Sequence, residues 1–161
     1  MQLSKLVYET ETGEVIDEIF NGDMVVRGTS IDALKELESA PEGETFTKLY
    51  HKVIPAIAQC KLTSTELVVF LYLGSNLRYI SNVSKYINGK LITRENLQHD
   101  LKLPEVTVKR AVLRLVKEGL IIEARTIEGK VFIVNPFVLS VGDKISKTVY
   151  DLFRKSKWAR W

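Results

Sequence analysis

Along the chain, apolar residues keep two spacings, one near two and one between three and four. Residues 5–19 hold two β-rich runs around the turn dipeptide Thr12-Gly13, the pattern of a hairpin. A second short run, Met24-Val25-Val26-Arg27, is followed by Ser30, placed to N-cap an amphipathic stretch over 31–37. The segment Ser39-Ala40-Pro41-Glu42-Gly43-Glu44-Thr45 is small, polar and turn-forming, and reads as a linker.

From Phe46 the spacing becomes helical. Leu49, Val53, Ile57 and Cys60 recur every three or four residues, with Pro55 starting or kinking a turn, so two helical pieces are expected. Thr63-Ser64-Thr65-Glu66 is a capping box that opens a helix through the apolar run 67–73, ending near Gly74-Ser75-Asn76. Apolar residues on so many consecutive positions predict a central helix buried on most sides. Residues 77–90 fit either a short strand or a loop, with Asn88-Gly89 as a turn before Lys90-Leu91-Ile92.

Thr93 is placed to N-cap a short helix carrying Leu97 and Leu101, which stops at Lys102-Leu103-Pro104. A second helix opens at Pro104 and runs to Gly119. Its inward stripe is Val108, Ala111, Val112, Leu115 and Val116, while Thr107, Lys109, Arg110, Arg114 and Lys117 lie mainly off it. Leu113 falls close to the exposed face. Two further β-rich runs, 120–126 and 131–134, flank Ile127-Glu128-Gly129-Lys130, giving a hairpin with Lys130 at its tip. Core helix, short helix, turn, basic helix and hairpin is the order of a winged helix-turn-helix. The fold class expected is mainly α with small β-hairpins, a winged helix-turn-helix over 46–141 preceded by an acidic β-hairpin arm over 1–44.

Residues 142–161 follow, with Ile145, Val149, Leu152 and Phe153 on one helical face and then Lys155-Ser156-Lys157-Trp158-Ala159-Arg160-Trp161. The helix reads as a packing element or a homodimer contact. Its tail reads equally as a DNA-backbone clamp or a charged solubilising end, with membrane-surface binding a weaker third reading.

Charge sharpens this division. Residues 1–47 carry Lys5, Arg27 and Lys35 against eleven acids, a net −8, whereas residues 77–161 carry 17 basic and 8 acidic side chains, a net +9. A half so basic is what a phosphate-binding surface requires, because neutralising phosphates releases condensed counterions; a solvated face is the plain alternative. Long donors at Arg94, Thr107, Lys109, Arg110, Arg114 and Lys117, with Arg125 and Lys130 from the hairpin, are the expected DNA contacts. The acidic arm reads as a solvated face, or as a partner-binding segment or one masking the basic half.

Other chemistries find little footing. The longest apolar run is far short of a membrane span and the N-terminus lacks an apolar signal region, so a cytoplasmic protein is expected. Cys60 has no partner for an internal disulfide and reads most simply as a small buried hydrophobe, with a reactive thiol as the minority reading. His51 and His99 are far apart without neighbouring ligands, and there is no Gly-rich phosphate loop, Cys-x-x-Cys or Gly-x-Ser-x-Gly. No enzyme activity, catalytic residue, cofactor or metal is expected.

The run Thr107-Val108-Lys109-Arg110-Ala111-Val112, followed by Leu115 and Gly119-Leu120-Ile121-Ile122, is similar to the recognition-helix segment of many winged-helix regulators, including the MarR group. With Lys130-Val131-Phe132-Ile133-Val134-Asn135-Pro136, Gly142-Asp143 and upstream Thr12-Gly13-Glu14, the chain resembles the RepL-type replication proteins of small Firmicute plasmids and related phages. The resemblance covers about two thirds of the chain and does not match the arm at 17–44 or the double-Trp end. It implies a replication initiator that binds double-stranded origin DNA and recruits host replication proteins. A transcriptional regulator, a plasmid copy-control or partition adaptor, and a protein-interaction module are the alternatives.

Overall fold

A computed structural model describes residues 3–8, 15–20 and 46–160 of the chain. The chain divides into two units, Met1–Glu44 and Thr45–Trp161. In the first, β1 (Leu3–Tyr8) and β2 (Val15–Phe20) pair antiparallel from Leu3 opposite Phe20 to Tyr8 opposite Val15, forming the hairpin expected around Thr12-Gly13. The run at 24–27, the stretch over 31–37 and the linker over 39–45 lie outside the described residues.

The second unit is mostly helical with small antiparallel sheets. Leu49 departs from the helical expectation: β3 (Lys48–Leu49) pairs with β6 (Leu139–Ser140), and only then does a 3-10 turn, His51–Val53, lead into α1 (Ile54–Gln59). Pro55 sits in the first turn of α1, where its missing N–H costs nothing. Helix α2 (Ser64–Ser75) opens on the expected box: the Glu66 N–H donates to Thr63 Oγ1 at 3.2 Å and the Thr63 N–H to Glu66 Oε2 at 2.8 Å.

The expectation that α2 is buried on most sides fails. Val69, Phe70 and Leu73 are fully buried, but Leu67, Val68 and Leu71 are 38–48% exposed. The partner α4 (Glu105–Lys117) covers one face only, so consecutive apolar residues on α2 divide between core and surface.

Residues 77–90 form no strand. They make isolated bridges, among them Val83 opposite Ile133 and Lys85 opposite Leu91, with the Ser84 N–H donating to the Phe132 carbonyl at 2.9 Å. Asn82 is buried here, its amide donating to the Val134 and Leu139 carbonyls at 3.0 and 2.7 Å. This irregular stretch is thereby fastened to the hairpin without a ladder.

Helix α3 (Arg94–Leu101) is capped by Thr93 and Asn96. It ends with Lys102 in the left-handed region and the Leu103 N–H returning to the Gln98 carbonyl at 3.0 Å. Pro104 then caps α4. The far end of α4 is a Schellman turn: Gly119, at φ +71°, donates to Val116 and Leu120 donates to Leu115, both at 3.0 Å. Val108, Ala111, Val112 and Leu115 are buried as expected, each of the large ones worth roughly 1.5–3 kcal/mol when fully withdrawn from water, but Val116 is 40% exposed.

Strands β4 (Ile121–Thr126) and β5 (Gly129–Val134) pair in register from Ile121 opposite Val134 to Thr126 opposite Gly129. The hairpin tip is therefore Ile127-Glu128, and Lys130 lies within the ladder opposite Arg125, one step from where the Gly129 signal suggested. Both faces of this hairpin are covered. Phe132 and Val134 join the core of α2 and α4, while Val131 and Ile133 pack on Val149 and Phe153 of α5 (Lys147–Phe153). Of the segment over 142–161, set apart on sequence, α5 is thus built onto the hairpin. Leu152, placed on the packing face by its spacing, is instead 49% exposed. Among the described residues, no helix is long and apolar enough to cross a membrane.

Candidate nucleic-acid interface

On a helix of 3.6 residues per turn, the line of α4 opposite its buried stripe runs through Val106, Arg110, Leu113 and Lys117. All four are exposed, as is Lys109 beside them. Among the described residues, Lys109, Arg110 and Lys117 make no ion pair or side-chain hydrogen bond. Within the described residues their charges are therefore uncommitted. Thr107 is half-buried on the flank.

Arg114 is held differently. Its guanidinium donates to the Cys60 carbonyl at 3.0 Å and pairs with Glu118, one turn on, at 3.1 Å. Glu118 in turn accepts from Lys157 Nζ at 2.5 Å through its other oxygen. The Lys157 ammonium, foremost, holds the Glu118 carboxyl below the usual carboxylate range, and Glu118 raises the Lys157 ammonium in return. Burial is the main reason the Cys60 thiol is pushed up, consistent with its reading as a buried hydrophobe. Below this cluster, buried Trp158 donates its indole N–H to the Glu118 carbonyl at 2.8 Å and lies against Gly119. The tail residue weighed as a DNA clamp or charged end is, at Trp158, part of the core.

Arg94 is likewise engaged. Its Nε and Nη2 reach the two carboxylate oxygens of Glu123 at 3.0 and 2.6 Å, a bidentate clamp of α3 onto β4. Four of the eight sequence-predicted contacts thus fall along α4 with free or partly free side chains, two are hairpin residues, and Arg94 and Arg114 serve the fold.

In the hairpin, Arg125 and Lys130 are exposed and directly opposite, which puts both on the same face. Like charges so placed repel and gain by sharing an anion. The surroundings are mixed, however: the nearby Glu95 carboxyl is held low, by the hydrogen bond from Thr93 foremost and least by Lys130, and Glu128 at the tip pairs with Lys85 at 2.7 Å.

The turn between α3 and α4 adds an exposed cation that sequence reasoning passed over, Lys102. Val106 was also missed; its 58% exposure in the first turn of α4 follows from the stripe pattern already legible there. Asp100 braces α3, accepting from His99 Nδ1 at 2.9 Å and from the hydroxyls of Tyr72 and Tyr86. Those bonds, that of His99 first, hold its carboxyl down to about 2. A groove of about 590 Å3 lined by Tyr50, Phe137, Tyr150 and Trp158 shares no lining residue with α3, α4 or the hairpin. No family model, curated protein or solved structure matches the chain.

Proposed function

We propose that residues 46–141 act as a winged helix-turn-helix that binds double-stranded DNA, with α4 as recognition helix and the β4–β5 hairpin as wing. The observation that carries the reading is the coincidence of uncommitted cations with the outward line of the second of two helices joined by a three-residue turn. Helix α4 has 13 residues, about 20 Å of length, and one exposed face, the dimensions that a major groove admits. Lys109 and Lys117 suit phosphates, and Arg110 suits the paired acceptors of guanine. Arg125 and Lys130 suit a phosphate beside the groove that α4 occupies. The protein acts on this reading as a binder without chemistry of its own.

The resemblance to RepL-type proteins extends the reading to replication initiation, with host replication proteins as partners. Footprinting on duplex DNA flanking the gene tests both levels. Protection of iterated repeats within an origin supports initiation; a single promoter palindrome supports regulation instead. Absence of duplex binding even at low salt removes the DNA-binding reading.

A further inference from the structure

We propose that Val106 reads the 5-methyl group of a thymine lying within about two base-pair steps of a guanine read by Arg110. The inference rests on the DNA-binding reading above and assigns part of its sequence preference.

Val106 is the most exposed apolar side chain of α4, 58% accessible, and stands on the same outward line as Arg110, one turn before it. Among the described residues it joins neither apolar cluster of the unit. Of the groups on a major-groove floor, the thymine methyl is the apolar one, and residues at the N-terminal end of a recognition helix are those that meet base edges. Leu113 shares the line and is 54% exposed, but it lies towards the C-terminal half, away from the end that enters the groove in such docking. Four residues advance a helix by about 6 Å, against about 3.4 Å per base pair, which sets the two-step limit. Glu105, exposed beside Val106 in the first turn, disfavours resting this end of α4 on phosphates and so favours its approach to bases.

The experiment selects a bound site from random duplex DNA with the full chain, then replaces each thymine in turn by deoxyuridine, which lacks only the methyl. One position near the guanine whose preference disappears in Arg110→Ala should lose affinity about fourfold, the worth of one buried methyl. In Val106→Ala that deoxyuridine response should vanish while the guanine preference stays, which also shows the variant folded and docked. Specific binding with no methyl-sensitive position, or a response unchanged in Val106→Ala, overturns the inference and leaves DNA binding standing. The scan on the unsubstituted chain decides by itself if the variant fails to fold. Failure to select any duplex overturns the DNA-binding reading and this inference with it.

Discussion

Salt dependence separates the cations that are free from those that are engaged. On the proposed docking, Lys109, Lys117, Arg125 and Lys130 neutralise phosphates, whereas Arg110 faces the bases. Three neutralised phosphates, one of them shared by Arg125 and Lys130, give a slope of log affinity against log salt of about −2.7. Between about 50 and 200 mM monovalent salt the affinity should then fall roughly 40-fold. Fluorescence anisotropy on a short labelled duplex measures the slope directly. Replacing Lys109 or Lys117 by Ala should weaken binding evenly across sequences and flatten the slope by about 1, whereas Arg110→Ala should cost about 1–3 kcal/mol and relax one base preference. Arg94→Ala and Arg114→Ala should leave the slope alone, because their guanidinium groups are spent on Glu123, Glu118 and the Cys60 carbonyl. The reasoning is refuted by a slope near zero, or by Arg94→Ala flattening it as much as Lys117→Ala does.

Three further outcomes follow from the packing. Trp158→Ala should lower stability by about 3–5 kcal/mol in denaturant unfolding, since it empties a fully buried site and orphans the Glu118 carbonyl; a loss below about 1 kcal/mol would contradict that seat. Because the Glu118 carboxyl is held low, its share of stability is complete above its ordinary pKa and fades as pH falls through the lowered one, so Lys157→Met should flatten the acid limb of a stability-against-pH curve. An unchanged limb would count against the pair. A double-mutant cycle of Arg94→Ala with Glu123→Ala should show coupling of about 1 kcal/mol, as a bidentate, partly buried pair predicts, and additive losses would deny it.

What could be read from the chain was local. The caps at Thr63 and Thr93, the stop at Gly119 and the stripe through Val108, Val112 and Leu115 are written within a turn or two of the residues they control. Partners distant in sequence were out of reach. Arg94 meets Glu123 29 residues away, and Arg114 meets Cys60 54 residues away, so a periodicity that marks both arginines as outward has no means of marking them as engaged. Trp158 misleads for the same reason: charged neighbours suggest a solvated tail, and only the pocket beneath Gly119 brings the indole inside. On α2 the difficulty is one of supply, since an apolar run says what is available to bury and not how many neighbours arrive. The hairpin tip was displaced by one step because Gly129 resembles a turn residue, whereas at φ +128° it serves as the first ladder position of β5.

The opposed pair at Arg125 and Lys130 has a consequence for the protein without DNA. Residues 46–160 carry 20 basic and 9 acidic side chains, so the unit repels itself, and across that rung of the hairpin two like charges stand directly opposite. Dissolved salt screens this repulsion, and by the same screening it competes with phosphates. Ionic strength should therefore act on the free protein and on the proposed DNA complex in opposite senses, tightening the first while it dissolves the second. A bound phosphate would do for the hairpin locally what salt does everywhere, so this rung should be quieter in the complex than in the free chain.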